Sequence, residues 1–587
     1  MMGPFPVVVV LFSALIFSVS RCSAETIAPR HCNGAIRHLH IAVGKDPSTS
    51  MTISFASEWA FPDRPAPIAG VHVGTSPESL DRFVPEQEFP LTYTINAVNT
   101  KHGQLYYAPY QHHITIDGLE PDTTYYYLPV IGTREHYEND PMSLALKPIR
   151  GHVKVENIVA ENKIMAQQEE LEEGENETER RRSLQIDVGD GRPHWDGHGR
   201  RLPEAYNPTN NPCIDVYTPR SFKTAPSQET DKNFYPMVFG LIGDIGQVQH
   251  SVETLEHMRN HMKGIQAVVL VGDIAYPGQD GRKWDTFFDF LDDHSNFDEI
   301  PLMIAAGNHD IDKQQDRKEI FLAYENRFRM PRVHPPQLGL FEGGPGDHGV
   351  MPDGHLNMDA PYYPLPYEWG NGYYAFTYGP SRHIIVNAYA DMSPASTQYV
   401  WLENELASVD RTRTPWVLLT IHVPLYNTFS LHHHDPQIFA AREHLEPLFV
   451  KYNVNIVFNG HIHAYQRTHF VAFNETTSTG PMHITIGAGG RDCDAPFQNE
   501  QPEPWIASRD ESMYGYGRFS ILNATHAEWK WVPLSPSDKH DFNGVKGNDD
   551  IHLPMLDHDR LVIHNQYHVR LNEERRKRRL HKTTNHK

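Results

Sequence analysis

The sequence predicts a multidomain fold, an N-terminal β-sandwich joined to a larger α/β layered domain. Three observations carry that prediction. At 587 residues the chain exceeds what a single hydrophobic core organises. Residues 33–135 alternate polar and apolar side chains in short runs between turn clusters, the pattern of an all-β sandwich. Beyond residue 234, short and almost wholly apolar runs alternate with amphipathic stretches, as buried strands alternate with helices. A composition of 39% apolar and 21% charged residues excludes a fibre or a membrane bundle. The formal net charge of −22 argues against nucleic acid as a partner. The 37 histidines against 40 glycines direct attention to metal chemistry, since imidazole is the commonest metal ligand.

Taken in order, the chain carries near its start an apolar run of eleven residues, Val7–Phe17, followed by the small-residue pattern Cys22-Ser23-Ala24. This reads as a secretory signal over 1–24, cleaved after Ala24, although no Lys or Arg precedes the apolar run. The run is too short to span a bilayer, and no later segment reaches 18 apolar residues, so the expectation is a secreted, extracellular protein without a transmembrane segment. Asn176, Asn474 and Asn523 lie in Asn-x-Ser/Thr triplets and are candidate glycosylation sites. Past the signal remain Cys32, Cys213 and Cys493, an odd number that allows at most one intramolecular bridge.

In the sandwich region the alternation is plain in His38-Leu39-His40-Ile41, Met51–Phe55 and His113–Ile116. The stretch Asp117–Tyr125 (DGLEPDTTY) resembles the loop-and-strand signature of fibronectin type III domains. From 145 to 232 the periodicity lapses into the charge run Gln167–Arg182 and a Gly/Pro/Asn/Arg-rich tract. We read it as a disordered linker or insertion, with a short exposed helix around 164–173 as the alternative. The extension 534–587 ends in a basic tail containing Arg575–Arg579.

The α/β domain, 234–533, carries the chemistry. Its apolar runs Val238–Ile242, Ile265–Val271, Leu302–Ala306, Trp416–Ile421 and Asn455–Phe458 each stop at a polar residue, in most cases beside a glycine. The strand ends read Gly243-Asp244, Gly272-Asp273-Ile274-Ala275-Tyr276, Gly307-Asn308-His309-Asp310, His422-Val423-Pro424 and Gly460-His461-Ile462-His463. Any one of these is an ordinary turn; five in succession are a ligand set. Two Asp, one Asn, one Tyr and three His are too many for one zinc ion and suit two metals sharing a carboxylate. Tyr276 adds a hard phenolate donor, which favours a trivalent ion such as Fe(III).

These five blocks, in this order, resemble the metallophosphoesterase (calcineurin-like) signature in its purple acid phosphatase form. The sandwich ahead of them is similar to the arrangement in that family's large, plant-type members. Gln398–Arg411, Gly460–Arg467 (GHIHAYQR) and Tyr514–Ala527 extend the likeness. The resemblance implies an α/β/β/α catalytic domain behind a fibronectin type III-like sandwich. It also implies an iron held by Asp244, Asp273, Tyr276 and His463, and a second metal (Fe, Zn or Mn) held by Asp273, Asn308, His422 and His461. His309 and a second histidine ten residues after His422, which is His432, would face the substrate phosphate. Because His432, His433 and His434 are adjacent, that last assignment stays open among the three. Two positions depart from the family pattern: Asp310 and Gln466 stand where Glu is usual.

The ligand set implies a reaction. Two cations neutralise phosphate oxygens and lower the pKa of bound water, so a hydroxide nucleophile exists below neutral pH. His309 or His432 would hold the phosphate and protonate the leaving alkoxide. The expected activity is acid phosphatase, a phosphoric monoester hydrolase acting on phosphorylated small molecules or proteins. A phosphodiesterase or phytase-like enzyme is the alternative within the fold, and a non-catalytic extracellular binding glycoprotein with a vestigial metal site is the alternative outside it. Large members of the family often form homodimers, and the resemblance carries that expectation too.

Overall fold

The computed structural model describes residues 36–132 (except 60–67, 89 and 97–104), 218–227, 235–568 (except 279, 313–318, 339–362, 494 and 535–558) and 571. The signal segment, Cys32, Cys213, Asn176, the charge run 167–182, residues 339–362 and the basic tail lie outside the described residues.

Two sheets form the sandwich. Strands Arg37–Val43, Met51–Trp59 and Pro109–Ile116 pair antiparallel in one; Arg82–Pro85, Ile68–Gly74, Thr124–Gly132 and Arg220–Lys223 form the other. Alternate apolar positions point inward, and Ile41, Ile53, Phe55, Val71, Val73, Ile114, Tyr127 and Phe222 make the core. The last strand corrects the linear reading: Arg220–Lys223 sits inside the stretch assigned to the linker, yet completes the sandwich beside Thr124–Gly132. Four residues with Phe222 as their one large apolar side chain offer too short a pattern to be seen without the partner strand.

The strand Arg37–Val43 is buried along its whole length, so its polar alternates do not face water. His38 and His40 pack on Phe288, and His40 also on Phe328. Arg37 and His38 meet Asp289 on the helix Gly281–His294, and Ile41 N–H donates to the Phe297 carbonyl at 2.8 Å. Burial pushes His38 down to about 3 and His40 to about 4, so both are neutral here. Part of the histidine surplus therefore joins the sandwich to the second domain.

That domain is built on two large sheets. In one, strands Leu302–Ile304, Ile265–Leu270 and Met237–Ile242 run parallel, followed by antiparallel Tyr514–Ile521, His526–Leu534 and Asp559–His564. In the other, Ser381–Val386, Trp416–Ile421, Ile456–Asn459 and Met482–Ile486 run parallel, with Tyr374–Tyr378 and Tyr465–Ala472 antiparallel at either side. The wholly apolar runs follow from this architecture, because a strand in the middle of stacked layers has two buried faces. The sheets meet through Trp416 and Phe458 against Phe519, and Phe239 against Tyr378. Asp559–His564 is a second correction, since it belongs to this sheet rather than to an extension beyond residue 533. Its Asp559 accepts two hydrogen bonds from Arg467, at 2.6 and 2.7 Å, and one from Tyr465.

Candidate metal centre

Parallel strands place their C-terminal ends on one edge, where the next residues leave the sheet together. Met237–Ile242, Ile265–Leu270 and Leu302–Ile304 deliver Asp244, Asp273 with Tyr276, and Asn308 with His309; Trp416–Ile421 and Ile456–Asn459 deliver His422, His461 and His463. Asp244, Asp273, Asn308, His422 and His461 are buried, with His309 and His463 at the accessible rim. The turns that aim them are strained: Asp244, Asp273, Tyr276, His432 and His461 all have φ between 50° and 68°. Non-glycine residues in this region cost on the order of 1 kcal/mol or more each, and they cluster where geometry is held for function. Gly307 meets a different demand, since a Cβ there would lie 2.1 Å from Asp273 Oδ1.

The side chains fall into two overlapping groups. Asp273, His422 and His461 bring ligand atoms within 4.8 Å of one another, as do Asp244, Asp273 and His463, so Asp273 is common to both. Asn308 joins the first, its Oδ1 lying 3.2 Å from His422 Nε2 and 3.0 Å from His461 Nδ1. Tyr276 joins the second, its hydroxyl 2.9 Å from His463 Nε2 and 3.4 Å from Asp244 Oδ1. A cation bonded to its donors at about 2.1 Å sets donor–donor edges of about 3.0 Å in an octahedron and about 3.4 Å in a tetrahedron. The spacings here, including 3.5 Å from His422 Nε2 to Asp273 Oδ2 and 3.6 Å from His463 Nε2 to Asp244 Oδ1, match those edges.

Protonation makes the same point. The Val271 carbonyl accepts from His422 Nδ1 at 2.8 Å, so Nε2 faces the oxygens of Asn308, Asp273 and Asp244. Acceptors facing one another in a dry pocket call for positive charge between them. Burial opposes a charge on His422, yet Asp273 and Asp244 push it up to about 9. Burial raises the Asp244 carboxyl well above the usual range, with His422 opposing and Asp273 adding to the rise. For Asp273, burial is outweighed by His422 and His309, and the carboxyl is held below that range. The donor set fits two cations.

Around it stand residues the strand-end reading did not reach. Tyr389 donates to Asn308 Oδ1 at 3.1 Å, and follows the strand Ser381–Val386, a further strand end of the same kind. Arg491 follows Met482–Ile486; its N–H donates to the Asp244 carbonyl and its guanidinium lies 5.3 Å from the Tyr276 ring centre. Asp435 accepts from both His461 and His432. Nothing in sequence separates it from an ordinary helix cap, because it precedes Pro436 at the start of the helix Pro436–Ala440. Of the three adjacent histidines, it is His432 whose ring lies 4.1 Å from that of His461. His309 packs its ring against Tyr276, tilted by 33° with ring centres 4.3 Å apart, and its backbone N–H donates to Asp273 Oδ1.

Both departures from the family pattern have local reasons. Asp310 accepts N–H groups from Asp273, Ile274 and Gly307 at 2.9 to 3.1 Å, which ties the second and third ligand turns together. Gln466 accepts from the Thr428 hydroxyl and donates its amide to the Tyr426 carbonyl, a donation no carboxylate can make.

Three family models match the chain. Residues 237–465 match the calcineurin-like phosphoesterase model, 480–541 the iron/zinc purple acid phosphatase-like protein C model, and 36–137 the purple acid phosphatase N-terminal domain. The chain belongs to the purple acid phosphatase family. Among family relatives, it is 33% identical over 327 residues to purple acid phosphatase 1 of Ipomoea batatas, covering 53% of this chain and 61% of the other. It is 32% identical to the Fe(3+)-Zn(2+) purple acid phosphatase 12 of Arabidopsis thaliana (50% and 59%) and 30% identical to the phosphoenolpyruvate phosphatase of Allium cepa (62% and 66%). The matches thus span about three fifths of these relatives' length. The structure of a purple acid phosphatase from yellow lupin (Lupinus luteus) seeds shares the fold, with a TM-score of 0.54 at 16% identity over 85% of this chain and 72% of that one. For this member of the purple acid phosphatase family, Asn474 and Asn523 are exposed on the surface. Among the described residues, no helix is long and apolar enough to cross a membrane.

Proposed function

We propose that the chain is a secreted acid phosphatase that hydrolyses phosphomonoesters at a dinuclear centre, Fe(III) paired with a second divalent ion (Fe, Zn or Mn). The observation that carries this reading is the pair of donor groups overlapping at the buried Asp273. Asp244, Asp273, Tyr276 and His463 would hold the iron, and Asp273, Asn308, His422 and His461 the second ion. The relative named as an Fe(3+)-Zn(2+) enzyme supports that pairing. When bound, the cations supply Lewis-acid chemistry, neutralising phosphate charge and acidifying water. The chain does the rest. Val271, through the His422 Nδ1–H, keeps Nε2 turned inward, and Asp310 holds the Asp273 turn against the Asn308 turn. His309, beside Tyr276, and His432, beside His461, would hold the phosphate and return a proton to the leaving oxygen. Secretion rests on the Val7–Phe17 run, and glycosylation on the exposed Asn474 and Asn523. A homodimer and phosphorylated small molecules or proteins as substrates belong to the same reading.

The test is Asp273→Ala, followed by metal analysis, the visible spectrum and phosphate release from p-nitrophenyl phosphate. Both ions, the tyrosinate-to-iron colour and turnover should be lost together. A variant that kept turnover, or a colourless but fully metallated wild type, would overturn the assignment.

A further inference from the structure

We propose that Asp435 is a positioning residue that holds His461 toward the second cation and His432 toward the substrate through a single carboxylate oxygen. The proposal rests on the dinuclear reading above.

Asp435 Oδ2 lies 2.8 Å from His461 Nε2 and 3.0 Å from His432 Nδ1. An ionised carboxylate only accepts, so both nitrogens carry protons toward it. The two tautomers follow. His461 keeps the lone pair of Nδ1, the atom 3.0 Å from Asn308 Oδ1 in the first donor group. His432 keeps the lone pair of Nε2, on the ring edge away from Asp435, in a side chain that retains 21% exposure. One oxygen thus gives two imidazoles complementary assignments, inward for a cation and outward for a ligand. A carboxylate bonded to a ligating histidine is the usual device for fixing ring orientation at metal sites; serving a second, non-ligating histidine is what distinguishes this one.

Two further observations show that this carboxylate is committed to the pair. Asp435 occupies the N-cap position before Pro436, where an Asp side chain ordinarily accepts a helix N–H, yet it makes no such bond. The backbone of His432 also adopts φ 60°, a strained turn that His433 and His434 do not share, and it delivers this ring to Asp435 and His461.

The experiment compares wild type, D435A, D435N, H432A and the D435A/H432A double variant, each checked for folding by circular dichroism. Protein loaded with iron alone is titrated with Zn(II), the visible band reports that the iron position is intact, and kcat and KM are measured on p-nitrophenyl phosphate. D435A should weaken Zn(II) binding about 10- to 100-fold with the visible band retained, and should raise KM. D435N keeps an acceptor oxygen and should recover most of the Zn(II) affinity. H432A should raise KM while leaving Zn(II) affinity within about threefold, and the double variant should show no higher KM than H432A, because both act through one contact. Should D435A fail to fold, Asp435→Ser takes its place with the same expectations. Unchanged Zn(II) affinity in the truncated variant, or KM effects of Asp435 and His432 that multiply independently, would overturn the proposal. A wild type with neither visible band nor turnover would instead remove the dinuclear reading beneath it.

Discussion

Replacing Gly307 by Ala adds one methyl group at the point where the third ligand turn crosses the second. The backbone of Gly307, at φ −107° and ψ 172°, is extended and open to any residue, so conformational strain does not contribute. Space alone decides. The added Cβ would lie 2.1 Å from Asp273 Oδ1 and 2.2 Å from Asp273 N, where real Cβ contacts essentially never fall under 3.0 Å. The carboxylate shared by both donor groups must therefore move by about 0.9 Å, and the backbone behind it must move as well. A displacement of about 1 Å at a reacting centre costs about 100-fold in rate. We expect Gly307→Ala to lose about two orders of magnitude in kcat/KM on p-nitrophenyl phosphate, with reduced metal content. Gly264→Ala is the control: a Cβ there meets nothing within 4 Å, but φ is +72°. It should cost about 1 kcal/mol of stability and leave activity alone. A Gly307→Ala enzyme within threefold of wild type and fully metallated would refute the geometric argument.

Tyr276→Phe removes the hydroxyl 2.9 Å from His463 Nε2 and 3.4 Å from Asp244 Oδ1; the purple band should vanish, and its persistence in the visible spectrum would exclude this tyrosine as a ligand. Asp559→Ala leaves buried Arg467 without its carboxylate partner and should cost about 3–5 kcal/mol, measured by urea unfolding; a loss under about 1 kcal/mol would mean that the strand Asp559–His564 is dispensable. His483 is buried with neither ring nitrogen hydrogen-bonded, and burial, with Arg442 adding to it, holds its pKa at about 3. The unfolded chain binds the extra proton below about 6.5, so this residue's contribution to stability falls as pH drops from about 6.5 to about 3, by up to about 1.4 kcal/mol per pH unit. His483→Phe should reduce the slope of stability against pH by that amount, and an unchanged slope would show that the ring is charged in the native state.

The donor positions that the structure gathers were legible because they follow runs whose both faces are apolar. A strand in the middle of stacked layers announces itself in sequence, and the first polar residue beyond it must lie at the sheet edge. Tyr389 and Arg491 obey the same rule at the ends of Ser381–Val386 and Met482–Ile486, and the signal was present for them too. Asp435 gave none, since its proximity to His461 joins residues 26 positions apart. The strands Arg220–Lys223 and Asp559–His564 were missed for another reason. Each is short and separated from its partner by a long stretch, so its identity comes from the strand it pairs with rather than from its own pattern.

Sequence by itself determined the order of the two domains and the donor types at the strand ends, because hydrophobic periodicity and donor type are local properties. Five strand ends with oxygen and nitrogen donors could be counted along the chain. Counting along the chain did not divide those donors; the family resemblance implied the division, and the tertiary structure supplies its geometry. Asp273 serves both groups, and His432 rather than its neighbours reaches His461. It also decided the fate of the histidines: His38 and His40 alternate as a solvent-facing pair would, yet are held neutral under the helix Gly281–His294. Whether a polar face meets water or another domain depends on what packs against it, and that contact joins residues about 250 positions apart.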